Sequence, residues 1–440
     1  MTKKFVPILL IVLLAFVLRA YALTDIPPGL THDEANHGRE ALDILDGVLL
    51  FYFPLNYGSE PLYSYTVAGT MLLFGKSLFS LRLVNVVFGV AAIGATYLWA
   101  VRAFDRRMGL LTAVLFTLSF WPLASSRQAL RAGMLPFFMV GAVWYFWQLI
   151  EKQNKLEKQK IKWGVVIGFG VCVAITLHIY LAARVVWLLF PLFLIYLSIV
   201  HRDKLRQAWL PTLIGLLLAG VLVMPMFIYL QRYPYALTRL DMLDGPLQQL
   251  TSGNFKPIFN NMSGALLAFV WPGYGDKFLA YNIPGRPVFD GITAVFFIIG
   301  LFVAAWRWKR PSYAMLLLWF FVGIAPSLIT GATANTTRNL AALPVVHMIP
   351  VVGFLTVITR LQKRLNKPDQ RMWMGAAALW LTIAAGITLN DYFVQWTTRP
   401  DVRDAYQHTL FAEVDYLQTN QTTGPLIMSS VYPGPAHDPS

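Results

Sequence analysis

Charged residues are scarce in this 440-residue chain: Asp, Glu, Lys and Arg make up 13% of it, against about 25% in an average soluble domain. So little charge cannot cover a water-exposed surface of this size. The hydrophobic residues, 57% of the chain, fall in long blocks. Blocks of about 20 apolar residues are typical of membrane-spanning helices, which satisfy their backbone hydrogen bonds within lipid. The sequence therefore predicts an all-α polytopic membrane protein.

Cysteine is almost absent, since Cys172 is the only one and lies inside an apolar block. A single thiol forms neither a disulfide nor a thiolate metal site within one chain. Basic residues are in excess, with 36 Lys and Arg against 22 Asp and Glu, but they form no patch with interleaved aromatics. We therefore predict no nucleic-acid partner. Short basic clusters between apolar blocks are instead typical of cytoplasmic loops.

About eleven transmembrane helices are predicted, and together they place every basic cluster on one side of the membrane. The predicted helices are 5–23, 82–102, 108–125, 134–150, 163–182, 184–200, 209–230, 291–306, 312–330, 340–359 and 373–390. The apolar segment 61–79 would reverse this arrangement if it crossed the membrane, so we predict an interfacial helix there. The N-terminus is expected in the cytoplasm, and the membrane is expected to be the plasma (inner) membrane.

The predicted transmembrane domain covers residues 1–390, with long outer loops at 24–81 and 231–290. Residues 391–440 form a polar extracytoplasmic segment. Within it, 401–419 has the pattern of an amphipathic helix and 425–432 that of a strand. One helix and one strand cannot bury a core of their own. The segment is expected either to pack on the membrane domain or to begin a soluble domain that is truncated here.

Acidic residues concentrate in the first outer loop, where seven of the 22 lie between residues 25 and 60. Thr31 followed by Glu34 fits a capping box, which predicts a helix from there to about Asp46, with Gly47 after its end. Helical spacing would turn Ala35, Gly38, Leu42 and Leu45 toward the membrane and would group Asp33, His37 and Glu40 on the other face.

Two interpretations of these acids stay open. Glu34 could serve only as the helix cap, within a solvated face beside the lipid headgroups. Alternatively, Asp33 is held ionised at the helix N-terminus, as a general base must be at neutral pH. His32 and His37 are the candidates for a divalent metal site beside the acids, because His and carboxylate side chains bind such ions. No other cofactor is predicted.

Five short motifs follow the first predicted helix in order: Asp33-Glu34, Gly58-Ser-Glu-Pro-Leu-Tyr-Ser-Tyr65, Leu73-Phe-Gly75, Arg82-Leu83 and Ser126-Arg127. Over residues 25–150 this order resembles that of the C-type membrane glycosyltransferases, in the group of protein O-mannosyltransferases and aminoarabinose transferases. The resemblance implies that a sugar passes, with inversion, from a polyprenyl-phosphate carrier to an acceptor protein, lipid or glycan of the cell envelope. It also implies that Asp33 is the catalytic base and that Glu34 supports it.

Four arginines near the outer ends of predicted helices are candidates for holding the donor phosphate: Arg127, Arg131, Arg184 and Arg338. The i, i+4 spacing of the first two would place them on one helix face, and arginine binds phosphate in a bidentate manner. His178 and Tyr180, shortly before Arg184 in sequence, could line the same cavity. The motif residues Glu60 and Tyr63 are further candidates for binding substrate.

The chain departs from the resembled group at two places. Many relatives carry Lys-Pro-Pro-Leu where this chain has Glu60-Pro61-Leu62, and relatives often carry an aspartate where it has Ala132. The Trp-Trp-Asp motif of oligosaccharyltransferases is also absent from the sequence. The alternatives are a transporter or flippase of lipid-linked sugars and a non-catalytic protein that binds them. Transporters place ionisable groups near the bilayer midplane, whereas the acids here lie in outer loops.

Overall fold

The computed structural model describes residues 2–55, 58–151, 161–234, 252–331, 335–365 and 370–420. Up to residue 232 its α-helices are α1 (Thr2–Ala20), α2 (His32–Leu45), α3 (Leu62–Phe74), α4 (Leu78–Ala103), α5 (Arg106–Leu118), α6 (Phe120–Ser125), α7 (Leu135–Ile150), α8 (Trp163–Leu177), α9 (Ala183–Val186), α10 (Leu189–Val200) and α11 (Arg202–Arg232).

The later helices are α12 (Lys256–Leu267), α13 (Gly291–Trp306), α14 (Pro311–Thr330), α15 (Asn335–Arg338), α16 (Leu343–Arg364), α17 (Gln370–Asn390), α18 (Pro400–Ala405) and α19 (His408–Thr419). Two 3-10 turns and one π-helix add to them, at Arg131–Met134, Leu340–Ala342 and Asp391–Trp396. In the described residues, the β-structure consists of one isolated bridge between Phe53 and Ser59.

Seven helical stretches in the described part of the chain are long and apolar enough to cross a membrane: Leu78–Ala103, Arg131–Ile150, Ala183–Val200, Arg202–Arg232, Pro311–Thr330, Leu340–Arg364 and Arg371–Trp396. Shorter apolar helices are Phe5–Ala20, Leu62–Phe74, Trp163–Leu177 and Gly291–Trp306. Each of the predicted spans coincides with one helix or with two successive helices. The predicted class, an all-α polytopic membrane protein, is confirmed, whereas the count of eleven spans stays a prediction.

Several of the predicted continuous helices are broken, and 184–200 divides into α9 and α10 at Trp187 and Leu188. The segment 108–125 divides at Ser119, whose backbone is extended, because Pro122 has no N–H and its ring clashes with the carbonyl four residues earlier. The segment 401–419 divides at Gln407, which has a left-handed backbone with φ of 48°. The predicted strand at 425–432 lies outside the described residues.

The helix α3 occupies the apolar segment that was predicted to be interfacial. Its 13 residues span about 20 Å at 1.5 Å per residue, which is short of the roughly 30 Å hydrocarbon core. It packs between α2 and α4, and its last side chains, Leu72, Leu73 and Phe74, are exposed. This length agrees with an interfacial position and leaves the direction of the later helices unchanged.

The membrane helices pack closely where glycine removes the side chain. The helices α13 and α16 meet at Gly300 and Gly353, and a Cβ on either glycine would overlap a carbonyl oxygen of the other helix. Small residues of this kind let two helix backbones approach each other, since packing rather than the hydrophobic effect joins helices in lipid. The resulting helical body supports the connecting segments that carry the candidate site.

Candidate active site

The N-terminus of α2 has the capping box that the sequence predicted. The Glu34 backbone N–H donates to the Thr31 hydroxyl oxygen (3.2 Å), and the Thr31 backbone N–H donates to Glu34 Oε2 (3.1 Å). The helix ends at Asp46, and Gly47 follows with φ of 93°. Glycine adopts this left-handed conformation without steric cost. These local bonds fix where Asp33 stands, one residue into the helix.

Glu34 also anchors α2 to the membrane domain through a fully buried pair with Arg82 of α4. Arg82 Nε donates to Glu34 Oε1 (2.9 Å) and Arg82 Nη2 to Oε2 (3.1 Å). The backbone N–H of Ala129 donates to the same Oε1 (2.9 Å). Because its two oxygens accept hydrogen bonds from Arg82, Thr31 and Ala129, Glu34 holds α2 in position on the membrane domain.

Arg82 in turn gathers the chain that enters α2. Its remaining N–H groups donate to the carbonyl oxygens of Leu23 (3.0 Å), Pro27 (2.9 Å) and Gly29 (2.6 Å). One buried guanidinium therefore joins the end of α1, the turn after it and the start of α2. The position of Asp33 depends on this arginine even though the two residues are far apart in sequence.

Asp33 is half-buried, and its Oδ2 accepts a hydrogen bond of 2.9 Å from the Tyr281 hydroxyl. Tyr281 comes from the second outer loop, where its ring stacks on Phe278 at a centroid distance of 4.8 Å. Burial raises the pKa of Tyr281 well above its ordinary value, and the Asp33 charge raises it further. Tyr281 therefore remains a protonated donor, aimed at the predicted base.

Beside Asp33 lies a group of charges that we call the Glu60 cluster, consisting of Glu60, Arg131 and Arg184. Arg131 Nη1 is 3.4 Å from Glu60 Oε2, and Arg184 Nη2 is 3.6 Å from Glu60 Oε1. Glu60 is fully buried, whereas the Arg184 side chain is 18% exposed. Arg131 is also close enough to Asp33 for their charges to interact. The predicted base and two of the predicted phosphate-binding arginines thus share one neighbourhood.

Two other predicted residues border this cluster. The Arg131 guanidinium lies 5.5 Å from the centre of the Tyr180 ring, a cation–π contact. The His178 imidazole is near enough to Glu60 for their charges to interact, and the His178 carbonyl oxygen accepts a hydrogen bond from the Leu62 backbone N–H (3.3 Å). The cluster is therefore closed on one side by the segment that connects α8 to α9.

The interpretation of a solvated acidic face on α2 was wrong for His37 and Glu40, because both side chains are buried. His37 Nδ1 and Glu40 Oε2 lie 3.0 Å apart, the Ser59 hydroxyl donates to Glu40 Oε1 (2.7 Å), and the Ser64 hydroxyl donates to Oε2. The Tyr63 ring packs edge-on against His37 at 5.0 Å and is fully buried. These contacts hold α2 on α3, and they place Tyr63 in the packing between helices.

Arg127 does not share a helix face with Arg131, because residues 127–130 are not helical and Arg131 begins a 3-10 turn. Arg127 is fully buried and donates to carbonyl oxygens at the end of α1, including those of Leu18 (2.8 Å), Arg19 (2.8 Å) and Tyr21 (2.6 Å). It therefore caps α1, whose last carbonyls have no partner within the helix. The prediction of a paired phosphate clamp from these two arginines was wrong.

Arg338 lies in the short helix α15, where its Nη1 donates to the Thr330 hydroxyl at the end of α14 (2.6 Å). The nearby Asp276 side chain accepts hydrogen bonds from the Thr336 backbone N–H (3.0 Å) and hydroxyl (2.5 Å). These bonds tie the second outer loop to α15. A contact of Arg338 with a donor phosphate stays a prediction.

Within the described residues, no group of three or more His, Cys, Asp or Glu side chains is arranged to hold a metal ion. His32 approaches the Asn36 side chain (3.3 Å), whereas His37 is buried against Glu40. The two histidines therefore point to separate partners and do not converge on one position, as the ligands of a divalent ion must.

Sequence reasoning gave no role in the site to two residues that define it, Arg82, which was noted only as part of a motif, and Tyr281. Arg82 stands at the outer end of a predicted helix, as the four candidate arginines do, so the same criterion could have selected it. Tyr281 lies in a Tyr-, Gly- and Pro-rich loop and carried no local signal. Its place is fixed by the backbone of the preceding residue, because the Ala280 carbonyl accepts hydrogen bonds from Gln128 (2.8 Å) and from the Tyr406 hydroxyl (2.9 Å).

The C-terminal segment also reaches the entrance of α2. The Leu30 backbone N–H donates to the Tyr406 carbonyl oxygen (2.8 Å). Gly29 has φ of 80°, and a Cβ there would overlap the same carbonyl oxygen. Tyr406 is fully buried together with Tyr392 and Trp396. The first outer loop, the second outer loop and the C-terminal segment therefore meet around one tyrosine.

Residues 58–229 match the family model described as dolichyl-phosphate-mannose-protein mannosyltransferase. No curated protein is similar enough in sequence to count as a relative. Several solved structures share the fold at low identity, including the following two. One is the oligosaccharyltransferase AglB from Archaeoglobus fulgidus in complex with an inhibitory peptide and a dolichol-phosphate, with TM-score 0.59, 15% identity, and 100% of this chain and 62% of that chain covered. The other is ArnT from Cupriavidus metallidurans bound to undecaprenyl phosphate, with TM-score 0.56, 14% identity, and 96% of this chain and 73% of that chain covered.

The fold is therefore that of a C-type membrane glycosyltransferase, and it confirms the resemblance drawn from the motifs in residues 25–150. More particularly, the sequence pattern over residues 58–229 is that of the protein mannosyltransferase model. The chain spans less than two thirds of the length of the archaeal enzyme that it matches.

Proposed function

We propose that this protein transfers a sugar from a polyprenyl-phosphate-linked donor to a hydroxyl of an acceptor protein, lipid or glycan. One observation carries the proposal: the Asp33 carboxylate, hydrogen-bonded to Tyr281, lies within range of electrostatic interaction with the Arg131 guanidinium of the Glu60 cluster. A base and phosphate-binding cations are the two parts that this reaction needs. The family match and the fold agree with that assignment.

In the proposed reaction Asp33 accepts the proton of the acceptor hydroxyl. The hydroxyl oxygen forms a bond to the anomeric carbon from the side opposite the phosphate, so the configuration inverts. The bond between that carbon and the phosphate oxygen breaks, and its electron pair leaves with the phosphate. Arg131 and Arg184 would stabilise the negative charge that develops there, because guanidinium groups bind phosphate oxygens strongly in a partly desolvated site.

A lipid carrier would reach this site from the bilayer. Beside Arg184 the apolar side chains of Trp187, Leu188 and Phe227 are 37%, 38% and 42% exposed, and the guanidinium lies 5.3 Å from the centre of the Phe227 ring. A polyprenyl chain could lie along this apolar surface while its phosphate contacts the arginine. We propose, in agreement with the distribution of basic loops, that this site faces the outer side of the plasma membrane and that the N-terminus lies in the cytoplasm.

The test is sugar transfer from radiolabelled polyprenyl-phosphate sugars by purified wild type and Asp33→Asn. The matched control is Asp43→Asn, an exposed aspartate of the same helix. We expect the Asp33 variant to lose at least about 100-fold in turnover, the usual size of a general-base contribution, and the control to retain it. Equal turnover in all three proteins would remove Asp33 from the role of base. Movement of intact donor across the membrane without cleavage would instead support a flippase.

A further inference from the structure

The three side chains of the Glu60 cluster are joined to one another by charge and not by hydrogen bonds, although Arg131 Nη1 also donates to the Gly58 carbonyl oxygen (3.0 Å). Its two ion-pair distances, 3.4 and 3.6 Å, exceed those of the Glu34–Arg82 pair at 2.9 and 3.1 Å. Among the described residues, neither Glu60 oxygen accepts a hydrogen bond, and Arg184 Nε and Nη2 have no acceptor. Buried groups are normally fully paired. A cluster that keeps both donors and acceptors free is therefore built to be completed by a ligand.

The charges of the cluster itself, two arginines and one carboxylate, sum to one positive charge. Asp33 interacts with Arg131 and His178 with Glu60, and because both groups are present in every variant tested below, they act alike on the two carriers that are compared. A polyprenyl-phosphate sugar is a phosphodiester with one negative charge, so a donor bound there would give a neutral site. After transfer the carrier is a phosphate monoester, whose second pKa is about 6, and it carries close to two negative charges at pH 8. The same site would then hold one excess negative charge, which is unfavourable in a buried environment.

We infer that Glu60 is a built-in counter-charge that fits the cluster to a monoanionic phosphodiester and weakens its hold on the dianionic phosphate monoester left after transfer. This role rests on the proposed function, and it makes Glu60 a specificity-determining residue that promotes release of the spent carrier. The cluster without the carboxylate would carry two positive charges. It would then match the monoester better than the diester.

The test compares binding of two carriers to the purified protein in lipid nanodiscs at pH 8: polyprenyl phosphate, and its methyl ester as a monoanionic diester. We expect Glu60→Gln to bind polyprenyl phosphate at least about tenfold more tightly than wild type does, with less than about a threefold change for the ester. Near pH 5 the monoester holds a single charge. The wild type should therefore bind the two carriers almost equally there.

Two further variants keep the outcome unambiguous. Glu60→Asp retains the charge and should bind both carriers as wild type does, which distinguishes an effect of charge from an effect of misfolding. Arg184→Gln should weaken the binding of both carriers. Unchanged or weaker monoester binding by Glu60→Gln, together with weak binding by Arg184→Gln, would overturn the inference and leave the proposed function standing. If neither Glu60→Gln nor Arg184→Gln changes the affinity for either carrier, the proposed phosphate site and the function built on it would be overturned instead.

Discussion

Replacing Glu34 by glutamine should destabilise the protein far more than the same change in an exposed ion pair. The carboxamide keeps one oxygen, but its NH₂ group would face two donors, Arg82 Nη2 and the Thr31 backbone N–H, both 3.1 Å from Oε2. The Arg82 charge would then be buried without a counter-ion. Breaking one side of a buried pair costs about 3–5 kcal/mol.

The matched control is Glu151→Gln, which breaks the pair of Glu151 with Arg102, whose side chains are 36% and 32% exposed. An exposed pair contributes about 1 kcal/mol or less. Thermal unfolding in detergent can be followed with a thiol-reactive dye, because Cys172 is the only cysteine and is partly buried. We expect the Glu34 variant to unfold about 3–5 °C lower and the control within about 1 °C of wild type, since the entropy of unfolding is about 2.1 cal/mol/K per residue. Equal shifts in the two variants would refute the assignment of Glu34–Arg82 as the anchor of α2.

Two further predictions concern the surroundings of the base. Tyr281→Phe removes the hydrogen bond to Asp33. It should lower the rate of transfer in single-turnover assays about tenfold while donor affinity stays within about twofold, since a hydrogen bond to a charged group contributes about 1.5–3 kcal/mol. An unchanged rate would contradict this role of Tyr281. Burial raises the pKa of Glu40, but His37, Ser64 and Ser59 lower it by more, so the net shift is below the ordinary 4.5. Its stabilising contribution is thus complete above pH 4.5 and is lost as the pH falls through the lower folded-state pKa. Between pH 6 and pH 3, the unfolding temperature of wild type should therefore decrease more steeply than that of Glu40→Gln. If the two unfolding temperatures decrease in parallel, the Glu40 carboxylate has no such stabilising role.

Features set by neighbouring residues could be predicted from the sequence. The capping box of α2 depends on Thr31 and Glu34, three positions apart, and Gly47 marks the helix end within the same stretch. The membrane helices follow equally from runs of apolar residues, because each satisfies its own backbone. What these signals share is that the interacting groups lie within one or two helical turns.

Features that join distant segments could not be predicted. Glu34 and Arg82 are 48 positions apart, and Asp33 and Tyr281 are 248 apart. Spacing carries no information at such separations, so the donor to Asp33 was missed. The pairing of Arg127 with Arg131 was wrong because the i, i+4 rule applies only within a helix, and the chain is irregular between these residues. The sequence does not distinguish an arginine that binds a phosphate from one that caps a helix.

The meeting of three segments at Tyr406 has a consequence for biogenesis. The turn at Gly29 and Leu30, which leads into the helix of Asp33, closes against a residue that the ribosome makes more than 370 positions later. The loop of Tyr281 rests on the same tyrosine. A chain still being inserted therefore has its membrane helices in place before its outer site is complete. Under the proposed function, the site should therefore become competent for transfer only after Tyr406 has been synthesised and packed.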